Sequence, residues 1–271
     1  MLKSLGLAWN QAMVRDELFE VDLSGKVCLV TGATIGGIGY ETAKKMYQLG
    51  CHVVVVCRSD KNGKEACDLM EKECSGMKGI GIVEYMLMDL SDLKSAGVMA
   101  CPYNVTAQGI EIQFATNHLG HFLLTISLME LIEKVAGRII NVASIGSKLY
   151  VSSENDINSF SSFSLEIRNF KSSNSKVSTF TLHPGGVKTN LQKSHNGFAA
   201  EIINWILNPL FKTPYEGAQT SLQVALAPLS QLENGGYYME CQLDEASPFA
   251  DDVKLQDTLW ETSMTLVKDY L

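Results

Sequence analysis

Thr31-Gly32-Ala33-Thr34-Ile35-Gly36-Gly37-Ile38-Gly39 is the stretch of this chain best suited to chemistry. Closely spaced glycines let a backbone turn sharply, and they let a pyrophosphate reach the free N–H groups at a helix N-terminus, where the helix dipole favours negative charge. Arg58 and Asp60 follow about 20 residues beyond the last of these glycines, where a residue that reads an adenosine ribose belongs. The Arg58 guanidinium suits a 2′-phosphate, as in NADP, and the Asp60 carboxylate suits the free 2′-hydroxyl of NAD. Arg58 stands directly at a strand end, so NADP is the first choice and NAD the second. Asp89 could meet an adenine amino group or cap the next turn. Asn117 interrupts a helical pattern in which its amide competes for backbone hydrogen bonds, and a kink or a site role accounts for it. His118 and His121 share a helix face, but no acidic or thiol partner follows at ligand spacing, so zinc is set aside.

These residues need elements to hold them. Residues 26–30 form a short apolar run into the glycines, and residues 40–49 leave them as a helix stopped at Gly50. A second strand over 51–57 completes a βαβ unit. Residues 64–74 read as a helix with Ala66, Leu69 and Met70 inward, and residues 81–88 as a third strand. A dinucleotide fold of strand order 3-2-1-4-5-6 then requires a fourth strand beside the first. Residues 91–109 hold no apolar run for it. An extended connection can span the distance at ~3.3 Å per residue, but it leaves a central edge whose N–H and C=O groups must find other partners.

Beyond that gap the pattern predicts a long amphipathic helix over 110–134 and a strand over 138–142. A polar segment rich in serine and asparagine covers 147–175, and its composition suggests flexibility. A strand over 177–182 and helices over 199–207, 215–227 and 252–266 follow, with Asn234-Gly235-Gly236 as a hairpin-like turn into residues 237–241. The expected fold class is α/β, a three-layer, doubly wound, parallel, Rossmann-like sheet without its fourth strand. The expected organisation is an N-terminal extension over 1–22 and a single domain over 23–271.

Composition narrows the function classes. At 46% hydrophobic and 19% charged residues, 271 residues describe a globular chain with ample core. A formal charge of -8 argues against a nucleic-acid partner, because phosphate binding relies on a basic surface. Seven cysteines show no metal-ligand spacing and cannot all pair within one chain, which suits a reducing compartment such as the cytoplasm. No stretch reaches the ~18 apolar residues of a membrane span. Residues 1–20 lack a signal peptide's apolar region and cleavage pattern, and Leu2, Leu5, Leu7 and Trp9 suit docking on the domain or peripheral membrane contact.

The order of these marks resembles the short-chain dehydrogenase/reductase family, and within it the retinol dehydrogenase-like branch that includes the WW-domain-containing oxidoreductase. The resemblance is carried by Thr31-Gly32 with Gly37-Ile38-Gly39, by Asp89-Leu90, and by Asn117 in Asn-His-Leu-Gly-His-Phe. Ser144 after Asn141-Val142-Ala143, and His183-Pro184-Gly185 with Val187 and Thr189, continue it. The stretches 212–221 and 236–241 point to the branch. The resemblance implies an NADP-dependent oxidoreductase acting on an apolar alcohol or carbonyl, such as a retinoid or steroid, and a tendency to pair as a homodimer through long helices. It implies Ser144 as the substrate-oxygen donor and Asn117 as the anchor of a proton-relay water. It implies Pro184, Gly185, Val187 and Thr189 at the nicotinamide end, with Thr31, Gly32, Gly37, Ile38, Gly39, Arg58, Asp89 and Leu90 along the rest of the coenzyme.

Two segments of the family pattern are missing. One is the fourth strand, of which Ala96-Gly97 looks like the trailing end; the other is the helix that carries the family's Tyr-x-x-x-Lys between residues 142 and 177. Such abrupt losses read as a truncated splice form or an incomplete gene model. One Tyr-x-x-x-Lys does occur, Tyr40 with Lys44, but it lies beside the pyrophosphate end and reads as a decoy. The glycine loop also carries one residue more than the family's, so Ile35 or Gly36 must bulge.

Overall fold

The computed structural model describes residues 20–88, 105–106, 109–143, 175–188, 211–247, 250 and 252–271. Strands β1 (Val27–Thr31), β2 (His52–Cys57) and β3 (Ile82–Leu87) form a parallel sheet in that order, linked by α1 (Ile38–Gln48) and α2 (Asp60–Glu73). The Val53-Val54-Val55-Val56 run makes β2 the buried centre, since a parallel strand covered on both faces needs a continuous apolar sequence. Gly50 ends α1 in a left-handed conformation at φ 92°. The second helix starts a turn earlier than its pattern predicts because Ser59 caps it, its Oγ accepting from the Asn62 N–H at 3.3 Å. Gly63 is a close-packing position, where a β-carbon would lie 2.5 Å from both Cys57 and Tyr85.

A second sheet holds β4 (Arg138–Val142), β5 (Ser178–His183) and β6 (Tyr237–Met239) in parallel, with β7 (Gln242–Asp244) antiparallel at its edge. The long helical pattern over 110–134 resolves into a short turn α3 (Ile112–Phe114), a π-helical turn (Ala115–Leu119) and α4 (Gly120–Lys134). Helices α5 (Pro214–Leu226) and α6 (Val253–Val267) complete the described elements. The turn at Asn234-Gly235 precedes β6 as expected, but β6 is shorter than its apolar run, because Glu240 and Cys241 turn back into β7.

Among the described residues no strand joins β1 to β4. Burial reflects this: β2 and β5 are largely buried, whereas β1 and β4 are half-buried except at Val27 and Val142, which are 70% and 52% exposed. These two strands flank the position of a fourth strand in the 3-2-1-4-5-6 order.

The two sheets share α5. Its Ala218, Leu222 and Leu226 pack in one core with Ala43, Val53, Val55 and Met70, and its Val224 packs in another with Phe180, Leu182 and Tyr238. Arg138 of β4 donates from Nη1 to the carbonyls of Val224 and Ala225 at 2.8 and 2.9 Å. The last carbonyls of a helix have no partner within it and favour a cation. Arg138→Met keeps the aliphatic stem and removes these bonds, so it should lower stability by about 1–3 kcal/mol, read as a lower urea midpoint.

Among the described residues no helix is long and apolar enough to cross a membrane.

Candidate coenzyme site

The glycine loop leaves the C-terminal end of β1 and closes on the first turn of α1. Gly32 and Gly36 take left-handed conformations at φ 66° and 79°, and the Gly37 N–H donates to the Thr34 carbonyl at 3.0 Å. Gly36 therefore accommodates the extra residue, inside a tight turn that leaves Ile35 40% exposed. A β-carbon on Gly39 would lie 2.9 Å from the Gly32 carbonyl oxygen and 3.1 Å from the Ala33 Cα, both backbone atoms. The loop and helix thus approach as closely as a pyrophosphate-binding turn requires, and Gly37 caps α1 without a side-chain hydrogen bond to its first N–H groups.

The second stretch expected to hold coenzyme lies at the end of β5. His183 and Pro184 are buried, Gly185 is left-handed at φ 88°, and Val187 is buried against α5. The two stretches converge at Gly217. A β-carbon there would meet Val187 Cγ2 at 2.6 Å and Cγ1 at 3.0 Å on one side, and Ile38 Cγ1 at 3.2 Å on the other. α5 is held in this place by a full capping box, with Pro214 at its start and Thr213 and Glu216 bonding each other's backbone.

Thr31 and Asn117 are linked through His121, whose Nε2 lies 3.1 Å from Thr31 Oγ1. Burial pushes the His121 imidazole down from its ordinary value, partly offset by hydrogen bonding to the backbone of Thr116 and Asn117. Asn117 lies at the centre of the π-helical turn, a local break in the α-helical hydrogen-bond pattern; such turns recur at functional sites. Next to it His118 is buried between the rings of Phe114 and Phe122, at centroid distances of 4.9 and 5.9 Å. Among the described residues no three histidine, cysteine, aspartate or glutamate side chains could hold a metal.

Arg58 is exposed at the end of β2, while the Asp60 carboxylate accepts the Tyr85 hydroxyl at 2.8 Å. Of the two ribose-reading candidates, the guanidinium faces solvent and the carboxylate is already engaged. Asp89, Leu90, Ser144 and Thr189 lie outside the described residues, as do residues 1–19, the polar stretch 147–174 and residues 189–210.

Tyr40 and Lys44 both reach Glu73 of α2, at 3.3 and 3.0 Å, and Lys44 also reaches Glu41 at 3.0 Å. Burial and the adjacent Glu73 charge raise the Tyr40 phenol, the reverse of what a general base requires. The residues that sequence reasoning passed over are Gly217, His121 as a bridge, and the Lys212–Glu240 pair near Gly185. Gly217 alone had a local sign, as a glycine inside an otherwise regular helical run.

Residues 26–99 match the short chain dehydrogenase family. Human retinol dehydrogenase 11 is 35% identical to this chain, over 91% of it and 87% of that relative. The chain belongs to the short-chain dehydrogenase family. Its likeness to retinol dehydrogenases sets it in the retinol dehydrogenase-like branch. That alignment runs over 286 residues, more than the 271 of this chain, so the relative has stretches without counterpart here. The fold agrees: a protein of Mycobacterium Paratuberculosis superposes with a TM-score of 0.69 at 24% identity, covering 92% of this chain and 95% of its own. The L-sorbose reductase of Gluconobacter frateurii, solved with NADPH and L-sorbose, gives a TM-score of 0.58 at 18% identity, covering 81% and 96%.

Proposed function

We propose that this chain is an NADP(H)-dependent oxidoreductase acting on apolar alcohols and carbonyls such as retinoids or steroids. The observation that carries the reading is the meeting of the glycine loop and the residues after β5 on Gly217, which brings the two expected ends of a coenzyme groove to one helix. In this reading Gly32, Gly37, Gly39 and the first N–H groups of α1 hold the pyrophosphate, and Arg58 holds the 2′-phosphate. Asp89 and Leu90 border the adenine, while Pro184, Gly185, Val187 and Thr189 border the nicotinamide. The coenzyme supplies or accepts hydride; Ser144 donates to the substrate oxygen and Asn117 anchors the relay water. The substrate class is taken from the likeness to retinol dehydrogenase 11.

A second reading, a coenzyme-binding protein that does not turn over, is favoured by one observation. The sequence's one Tyr-x-x-x-Lys, Tyr40 and Lys44, is committed to Glu73. Loss of general acid–base catalysis alone lowers a rate by about 10²–10⁴.

Titration of the protein with NADPH and NADH by nucleotide fluorescence, followed by all-trans-retinal, separates the readings. NADPH should bind in preference to NADH and be oxidised when retinal is added. Binding without oxidation selects the second reading, and absence of binding rejects both. Arg58→Ala should weaken NADPH by about 10- to 100-fold, the size of a lost charge-assisted contact, and leave NADH within about twofold. Equal loss for both nucleotides would remove Arg58 from the 2′-phosphate.

A further inference from the structure

Lys212 is a buried cation that the reading above does not use. Its side chain is 10% exposed and its Nζ lies 2.5 Å from the Glu240 carboxylate. Buried charges are costly unless paired, so this pair has a structural or functional reason to exist. Its surroundings point to the reason. The Lys212 N–H donates to the Gly186 carbonyl at 2.8 Å and the Lys188 N–H donates to the Lys212 carbonyl at 2.9 Å, so the residue is stitched to both sides of Val187. Its stem fills the space beside left-handed Gly185, where an added β-carbon would meet Cε at 3.0 Å and Nζ at 3.1 Å. Glu240, its anchor, sits with Cys241 in a turn where both residues are left-handed, at φ 52° and 59°, without being glycine. Such a turn is costly for residues with side chains, and it is tied down by Lys212 on one side and by the Cys241 N–H to Thr220 Oγ1 at 3.3 Å on the other.

We propose that Lys212, braced by Glu240, is the positioning residue for residues 183–188, fixing where that loop presents Gly185 and Val187 to the nicotinamide half of the coenzyme. The inference rests on the coenzyme reading above for its ligand, and on the ion pair and backbone bridge for its geometry. Glu240 holds the ammonium, the ammonium end of the stem limits the path of Gly185, and the paired backbone on either side of Val187 sets the height of the loop over α5.

The test compares NADPH with adenosine 2′,5′-diphosphate, which carries the adenosine half and its 2′-phosphate but no nicotinamide. Lys212→Met should keep 2′,5′-ADP binding within about twofold while weakening NADPH about tenfold, and Glu240→Gln should show the same split at about threefold. A general loss of structure would weaken both ligands together. Amide hydrogen exchange gives a readout without nucleotide: the Lys188 N–H should exchange faster in both variants, with the β5 amides unchanged. Equal weakening of both ligands, or wild-type protection at Lys188 in both variants, overturns the inference. If Lys212→Met does not fold, the milder Glu240→Gln decides by the same criteria. If the wild type binds neither ligand, the coenzyme reading fails, and the exchange arm alone decides whether Lys212 braces the loop.

Discussion

Gly217→Ala is expected to weaken NADPH binding at least tenfold and to lower the stability of the folded chain, although alanine is the better helix former. The competition can be sized. Replacing glycine by alanine inside a helix favours the helix by about 1 kcal/mol. Forcing a methyl group into a filled space costs about 1–3 kcal/mol, and more where the neighbours are stiff. Here the new carbon would lie 2.6 Å from Val187 Cγ2, on a β-branched side chain that is 8% exposed and has little rotamer freedom to retreat. Ile38 closes the other side at 3.2 Å. The clash therefore outweighs the propensity gain, and relief comes by moving α5 away from the two stretches proposed to hold coenzyme. Urea unfolding with and without NADPH measures both effects. A variant more stable than wild type with unchanged affinity would show that the groove does not meet on this helix.

Acid should destabilise the protein below about pH 6.5, the ordinary histidine value, and His118 should be the main cause. Burial pushes its imidazole down to about 3, with the neighbouring His121 a smaller contribution. Ser263 Oγ already donates its proton to the Leu259 carbonyl at 2.7 Å, so His118 Nε2 is the donor in its 2.7 Å bond to that hydroxyl. A second proton would place a charge between two phenyl rings. Because the folded value lies below the unfolded one, the unfolded chain binds the proton first. Stability from neutral His118 is complete above about pH 6.5 and is lost as pH falls, at a slope of about 1.4 kcal/mol per pH unit. His121, also lowered by burial, adds to the loss in the same direction. His118→Leu should flatten the fall in urea midpoint between pH 6.5 and about pH 4.5. An unchanged slope in that variant would assign the acid sensitivity elsewhere.

What could be read from sequence followed local periodicity. The β1–α1–β2 unit and Arg138–Val142 of β4 were legible because continuous apolar runs and a helical repeat mark them within a few residues. The twist of the glycine loop was legible only as an alternative between Ile35 and Gly36, since either could take the extra residue until the Thr34–Gly37 turn fixed it. Asn117 announced a disturbance, but the contact of His121 with Thr31 joins residues 90 apart in the chain, and no local pattern encodes that. Gly217 and Lys212 were hidden for the same reason: each acts on a loop from another part of the chain. The turn at Glu240 and Cys241 has no sign in the sequence, because neither residue is among the glycine and asparagine types that mark left-handed backbone.

With β1 and β4 each lacking a described neighbour on one side, the cooperativity of folding falls to the helix that belongs to both hydrophobic cores. Two sheets joined by a continuous ladder would melt together through backbone pairing. Among the described residues α5 is the helix packed in both cores, so the capping box at Thr213 and the Arg138 clamp at its other end couple the unfolding of the two sheets.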